Sequence, residues 1–379
     1  MLTLVTQARS VSLLAIVLLL LMGGCGTSHS VSCAGPGGAN CPIAPGPEFL
    51  YASSNSNGGQ ILTFTVDHSS GALGGPATTI GPAMSAGIAS AQNQFLYVTD
   101  ADNGVIDAFS VSQTAGALTP IPGSPFSASP LFPLALVAGT DLYSTGFTGT
   151  SGFSIATNGA LTPVLGSPFS GGIGGQAALG QLNTTSFLYA TDFTDPNGTI
   201  SAFKVDPVLG TLTAIAGPFT TGVFAGPDGI VFDVSTLGQF VFVALNAANQ
   251  VAAFSVDSTG ALTPAPGSPF DAGISPVFLA LSASQNFLYA MNFGDQSISA
   301  YSIAGTGALT PVPGSPFMLA DAPGAMVVTG DDFLYVSLPK SNSILGFTIA
   351  ANGALAPLSG SPFSASAPGL LTTIQIPPP

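Results

Sequence analysis

Seventeen acidic side chains stand against three basic ones in this chain of 379 residues. Carboxylates that recur at matched positions are therefore the first candidates for chemistry. Asp100, Asp102, Asp192, Asp195 and Asp295 each follow a short apolar run of one type, in a polar turn. Asp228, Asp271 and Asp321 lie in or near a second kind of segment, and Asn55, Asn246 and Asn342 hold comparable places. Gathered on one face, such a rim would bind Ca²⁺, a polyol or a cationic polymer, because hard cations are held by carboxylate and carbonyl oxygens. Aspartate and asparagine also close turns through their own side chains, and the recurrence fits that reading equally. Lys340 is the one cation in such a turn, and reads as a solvated charge beside an aspartate.

Groups that carry enzymatic chemistry are scarce. His29 falls in a Gly/Pro/Ser-rich stretch, and His68 sits in the turn Asp67-His68-Ser69-Ser70-Gly71, on the face opposite the acidic rim. Glu48, the chain's only glutamate, is placed just ahead of the first strand. There is no Gly-x-Ser-x-Gly elbow and no His-Glu-x-x-His. The run Gly171-Gly172-Ile173-Gly174-Gly175 lacks the lysine of a phosphate loop and reads as a flexible crossing. No catalytic residue and no metal ligand set is assigned. The only cations are Arg9, Lys204 and Lys340. Nucleic-acid binding and adhesion to anionic lipid both need clustered cations, so both are excluded as partners.

Residues 1–25 read as an export signal, with Arg9, an apolar run over 11–22 and then Gly23-Gly24-Cys25. The apolar run is shorter than the roughly 20 residues a spanning helix needs. The pattern resembles a bacterial lipoprotein signal, in which the cysteine is lipidated and becomes the mature N-terminus. That resemblance implies a lipid anchor on Cys25 and an extracytoplasmic, membrane-anchored location in the periplasm or at the cell surface. The alternative is an ordinary secretory signal that leaves Cys25 a free thiol. Residues 26–47 are rich in Gly, Ser and Pro and read as a tether. Cys33 and Cys41 lie within it, and an exported location favours a disulfide between them. A metal is the alternative, but two cysteines without an adjacent histidine supply half a coordination shell.

The elements that position these side chains come from a repeat. Its opening aromatic falls at Tyr51, Tyr97, Tyr143, Tyr189, Phe242, Tyr289 and Tyr335, at spacings of 46, 46, 46, 53, 47 and 46 residues. Gly-Ala-Leu follows at 71, 116, 159, 260, 307 and 353, with Gly-Thr-Leu at 210. Gly-Ser-Pro-Phe closes the unit at 123, 166, 267, 314 and 360, and is reduced to Gly217-Pro218-Phe219 in the fourth copy. Short strands at this period predict an all-β, seven-bladed propeller of four-stranded blades over 48–379. An apolar run precedes every aromatic anchor except the first, and a spare run, 369–376 (GLLTTIQI), stands at the far end. The count balances if the C-terminal strand joins the first blade, which closes the ring without a free edge. Prolines at 120, 122, 163, 264, 266, 311, 313 and 357 would block pairing at the outermost strands. The fourth repeat carries extra residues, read as a tolerated loop insertion or an overhang of one channel mouth.

The pattern FLY(V/A)-x-(N/D), then S-x-S-x-(F/Y), then G-A-L-T-P resembles the lactonase-type seven-bladed propellers, the 6-phosphogluconolactonase-like group related to YVTN-repeat proteins. Enzymatic members act on lactones of anionic substrates, which implies arginine and histidine around the channel mouth. Beyond Arg9 this chain has no arginine, so no catalytic residue carries over. The reading that follows is a non-catalytic binding or scaffold module, monomeric, that uses its rim on a glycan or an envelope protein. The alternative is a lactone hydrolase acting on a neutral extracellular lactone, with a rim-held metal as one mechanism. No cofactor other than Ca²⁺ is expected.

Overall fold

The structure is a computed structural model that describes residues 45–378 apart from 129–133, 139, 194, 223, 224 and 236. Seven antiparallel sheets follow one another around a ring. In the sixth blade the order from axis to rim is Pro276–Leu281, Phe287–Asn292, Ser297–Ile303 and Leu309–Pro311. The turns between second and third strands share one face, here the upper, with the crossings between blades. The other hairpins form the lower face.

The first blade is made from both ends of the chain. Pro368–Gln375 is its innermost strand and pairs antiparallel with Glu48–Ser54, with Glu48 opposite Gln375 and Phe49 opposite Ile374. Gln60–Val66 and Ala77–Ile80 complete it. The ring thus closes as the count of strands requires. Glu48 opens the first strand rather than preceding it, and is buried there.

The core lies between blades rather than within them. Seven apolar clusters occupy the seven interfaces; one joins Leu50, Phe64 and Leu371 of the first blade to Phe333, Tyr335 and Ile344 of the seventh. Both faces of each second strand are covered, so Phe240–Leu245 is buried throughout and no alternation is possible. Each large side chain so buried contributes about 1.5–3 kcal/mol.

Two repeat motifs acquire a physical reason. Each of the six anchor tyrosines donates its hydroxyl to the carbonyl of the Gly-Ala-Leu or Gly-Thr-Leu glycine of the next blade: Tyr51 to Gly116, Tyr97 to Gly159, Tyr143 to Gly210, Tyr189 to Gly260, Tyr289 to Gly353 and Tyr335 to Gly71. A buried phenol needs such a partner. Gly71 has φ +67°, and an added Cβ would lie 2.7 Å from the Phe333 ring, so neither the turn nor the packing admits a side chain.

The closing motif interrupts the outermost strand, and here the expected four strands become five in five blades. In the sixth blade Leu309–Pro311 pairs with one half of the third strand, and Phe317–Met318 pairs with the other. Between them Val312 N–H donates to Ala300 O at 3.0 Å, and Ala300 N–H donates to Ser315 Oγ at 2.9 Å. The serine hydroxyl replaces the ladder partner that the bulging strand withdraws. The same bond recurs from Ala108 to Ser124, Gly152 to Ser167, Ala253 to Ser268 and Gly346 to Ser361.

The insertion around the fourth repeat is divided between two faces. Ile230 and Met326 share a register, opposite Val243 and Val336, but lie 11 residues after Phe219 and 9 after Phe317. Two of the extra residues therefore enter the upper crossing. Two more lengthen the upper turn between Asp192 and Thr199, and the rest lengthen the lower hairpin that follows Pro227–Asp233. The glycine run at 171–175 is in part strand, since Gly174–Leu182 is the innermost strand of the fourth blade.

Candidate functional site

The rim aspartates occupy their turns and are largely used by them. Asp100 Oδ1 accepts from the N–H groups of Asp102 and Asn103, and its Oδ2 accepts from Asn103 Nδ2. Asp102 is exposed. Asp192 Oδ1 accepts from Asp195 N–H. Asp195 in turn accepts from Asn197 N–H and Nδ2 and from Thr199 Oγ1, bonds that hold its carboxyl below the ordinary range. Asp295 accepts from Ile274 N–H and Ser297 Oγ, tying a crossing to the turn beside it. Asp321 is held low by Ser341 Oγ and Ala322 N–H, and its Oδ1 lies 3.7 Å from the Nζ of solvent-exposed Lys340. Among the described residues, no three rim carboxylates converge within metal-ligating reach. Cys25, Cys33 and Cys41 lie outside the described residues.

What does converge on the upper face is a group at the channel mouth. The innermost strands bend where they approach the axis, with irregular register between Gly174 and Ala177, between Pro227 and Ile230 and between Pro276 and Phe278. A Cβ on Gly229 would lie 2.7 Å from Val277 O, so two neighbouring strands meet backbone to backbone here. Gln176 and Asp228 project from these bends. Gln176 Nε2 donates to Val277 O at 3.0 Å and to Asp228 Oδ1 at 3.4 Å, and Asn246 also donates to the Asp228 carboxylate. Thr191 Oγ1 donates to the Asp228 carbonyl at 2.9 Å and accepts from Gln176 N–H at 3.0 Å. Burial pushes the Asp228 carboxyl up to about 6, against the two amide donors that favour its charge. The fourth and fifth blades thus present one half-buried carboxylate and two amides, beside the Val277 carbonyl of the sixth, a set that suits the hydroxyls of a neutral ligand.

A second group lies on the lower face, across the seam between first and last blades. His68 Nε2 is 2.8 Å from Gly46 O, and its Nδ1 meets Asp331 Oδ2 in a short hydrogen bond. Glu48 Oε2 stands 3.9 Å from the same Nδ1, is buried, and makes no hydrogen bond. Burial pushes the Glu48 carboxyl up to about 7. Burial opposes charge on His68, but the hydrogen bonds to Asp331 and Gly46 and the two nearby carboxylates outweigh it and raise its pKa.

His68 lies on the face that its turn predicts, whereas no local sequence signal marks Glu48, Asp331 or Gln176. The fold brings together residues 48, 68 and 331, a separation no local pattern encodes. Asp228 and Asn246 stood among the rim candidates, with nothing to pair them.

No family model matches the chain, and no curated protein does. Solved structures do. A candidate 6-phosphogluconolactonase from Bacteroides fragilis superimposes with a TM-score of 0.71 at 18% identity, covering 87% of this chain and 98% of that one. One from Bacteroides uniformis gives 0.72 at 18% identity, over 87% and 100%. The periplasmic gluconolactonase of Pseudomonas aeruginosa gives 0.68 at 18% identity, over 87% and 100%. The chain has the seven-bladed fold of these proteins. At such identity the likeness is one of fold, and the activity of this chain has to be argued from its own residues.

Proposed function

We propose that this chain is a member of the 6-phosphogluconolactonase-like propellers that works outside the cytoplasm as a lipid-anchored binding module for a neutral, hydroxyl-rich ligand such as a glycan. The observation that carries this reading is the Asp228 carboxylate held with Gln176 and Asn246 at the channel mouth. A carboxylate and two amides can accept and donate to sugar hydroxyls. A phosphorylated sugar acid would meet an acidic protein with a formal net charge of −14 and no arginine beyond Arg9. The pattern of residues 1–25 supports export with the anchor on Cys25. Replacement of Cys25 by alanine should then release the protein from the membrane fraction; retention there would refute the anchor.

The binding reading is tested by a thermal-shift screen of the full chain against neutral lactones, phosphorylated lactones, Ca²⁺ and envelope polysaccharides, with product assayed in the same wells. A ligand at 100 times its dissociation constant adds about 2.7 kcal/mol of native stability. Neutral glycans should raise the melting temperature of the wild type and not of Asp228→Asn or Gln176→Ala. A shift that survives both substitutions would place the ligand elsewhere.

A second reading rests on the raised pKa of Asp228. A carboxyl near 6 suits a general base. It would take a proton from a water whose oxygen attacks the carbonyl carbon of a neutral lactone, and return it to the ring oxygen as the acyl C–O bond breaks. Turnover of a neutral lactone, lost in Asp228→Asn, would favour this reading over binding alone.

A further inference from the structure

We infer that Glu48, His68 and Asp331 form a binding site for a divalent metal ion of the zinc type, which bridges the first and last blades. The three side chains come from the opening strand, the Asp67–Gly71 turn and the hairpin of the seventh blade. One ligand atom from each lies within 4.8 Å of the others. His68 Nε2 can keep its proton on the Gly46 carbonyl, so a metal that displaces the Nδ1 proton meets a lone pair facing the two carboxylates. An imidazole ligand is ordinarily oriented in this way, by a backbone carbonyl on its other nitrogen.

The decisive group is Glu48. A proton on Nδ1 would account for Asp331, because one N–H serves one acceptor. It would leave Glu48 Oε2 buried, 3.9 Å away and without a hydrogen bond. A dication accounts for both carboxylates, with ligand atoms at about 2.0–2.2 Å. Asp332, the neighbour of Asp331, turns elsewhere and accepts from Ala283 N–H at 2.7 Å, so it takes no part. One imidazole with two carboxylates favours Zn²⁺ over Ca²⁺, which prefers six to eight oxygens. His68 and Asp331 are partly exposed, which leaves a fourth position to solvent. The ion would fasten the opening strand to the last blade, where the chain's two ends meet.

The test is equilibrium dialysis of the full chain against Zn²⁺, with melting curves, for the wild type, Glu48→Gln, His68→Ala and Asp331→Asn. The cysteines at 25, 33 and 41 are present in all four, so their contribution cancels. The wild type should hold one more equivalent of zinc than each variant, or bind it at least tenfold tighter. Zn²⁺ should raise the melting temperature of the wild type alone, and Ca²⁺ should not substitute. The isosteric Glu48→Gln keeps the buried shape and guards against a folding failure in the other two. Equal zinc uptake by the wild type and Glu48→Gln, with no zinc-dependent shift in melting, would overturn the inference and leave a hydrogen-bonded histidine–aspartate pair.

Discussion

The hydroxyl of Tyr335 donates to the carbonyl of Gly71 at 2.6 Å, across 264 residues of chain. It is the same bond that ties each other anchor tyrosine to the blade after it, but here it joins the last blade to the first. The ring is therefore closed twice, by the strand Pro368–Gln375 in the first blade and by this contact between blades.

Replacement of Tyr335 by phenylalanine removes the donor and leaves the Gly71 carbonyl unpaired in a dry interface. A loss of about 1–3 kcal/mol is expected. Denaturant melts of the variant should show a lower midpoint with an unchanged slope. An unaltered midpoint would mean that water or another group satisfies the carbonyl.

The fifth blade offers the converse. Phe242 holds the anchor place there, fully buried between the fifth and sixth blades, and Gly307 is the matching glycine of the next blade. Phe242→Tyr should restore the missing bond and add about 0.5–1.5 kcal/mol. A melting temperature lowered by the substitution would show that the interface has no room for the oxygen.

Asp233 gives a pH dependence with a definite sign. It is fully buried, and burial pushes its carboxyl from an ordinary 3.8 up to about 6, against bonds from Ser235. The folded state therefore holds the proton more tightly than the unfolded chain. The contribution is present in full below pH 3.8 and is lost as pH rises through 6. At 1.36 kcal/mol per pKa unit this amounts to about 3 kcal/mol. Melting temperature should fall between pH 4 and pH 7, and Asp233→Asn should flatten that fall and stabilise the protein at pH 7. A profile unchanged by the substitution would assign the effect to other carboxyls such as Asp228.

The outer edges test negative selection against pairing. Ala265 N–H points inward to Ala253 O and Val312 N–H to Ala300 O, so the nitrogens of the preceding Pro264 and Pro311 face outward. Pro357 stands in the same relation to Leu358. The triple replacement of these prolines by threonine exposes three free N–H groups on open edges. Light scattering should detect concentration-dependent association; a variant as monodisperse as the wild type would show that the short edges protect themselves.

The blade count, the ring closure and the edge prolines were all legible in the residue pattern. Each of these follows from a periodic pattern, because a repeat that buries its faces against copies of itself must write the same burial seven times. Tyr335 and Gly71 were legible as members of two series, though not as partners. Cys25, Cys33 and Cys41 rest on the sequence alone. Tertiary structure decided which polar groups meet. Asp100 and Asp195 have the same residue type as Asp228, but their turns consume them, whereas Asp228 sits at an irregular step of an innermost strand, where Gln176 from the neighbouring blade and Asn246 from the turn after Leu245 reach it. Glu48, His68 and Asp331 show the limit most plainly. They belong to no repeat position in common, and only the closing of the ring, which sets the first strand beside the last blade, puts a buried carboxylate against a histidine and a second carboxylate.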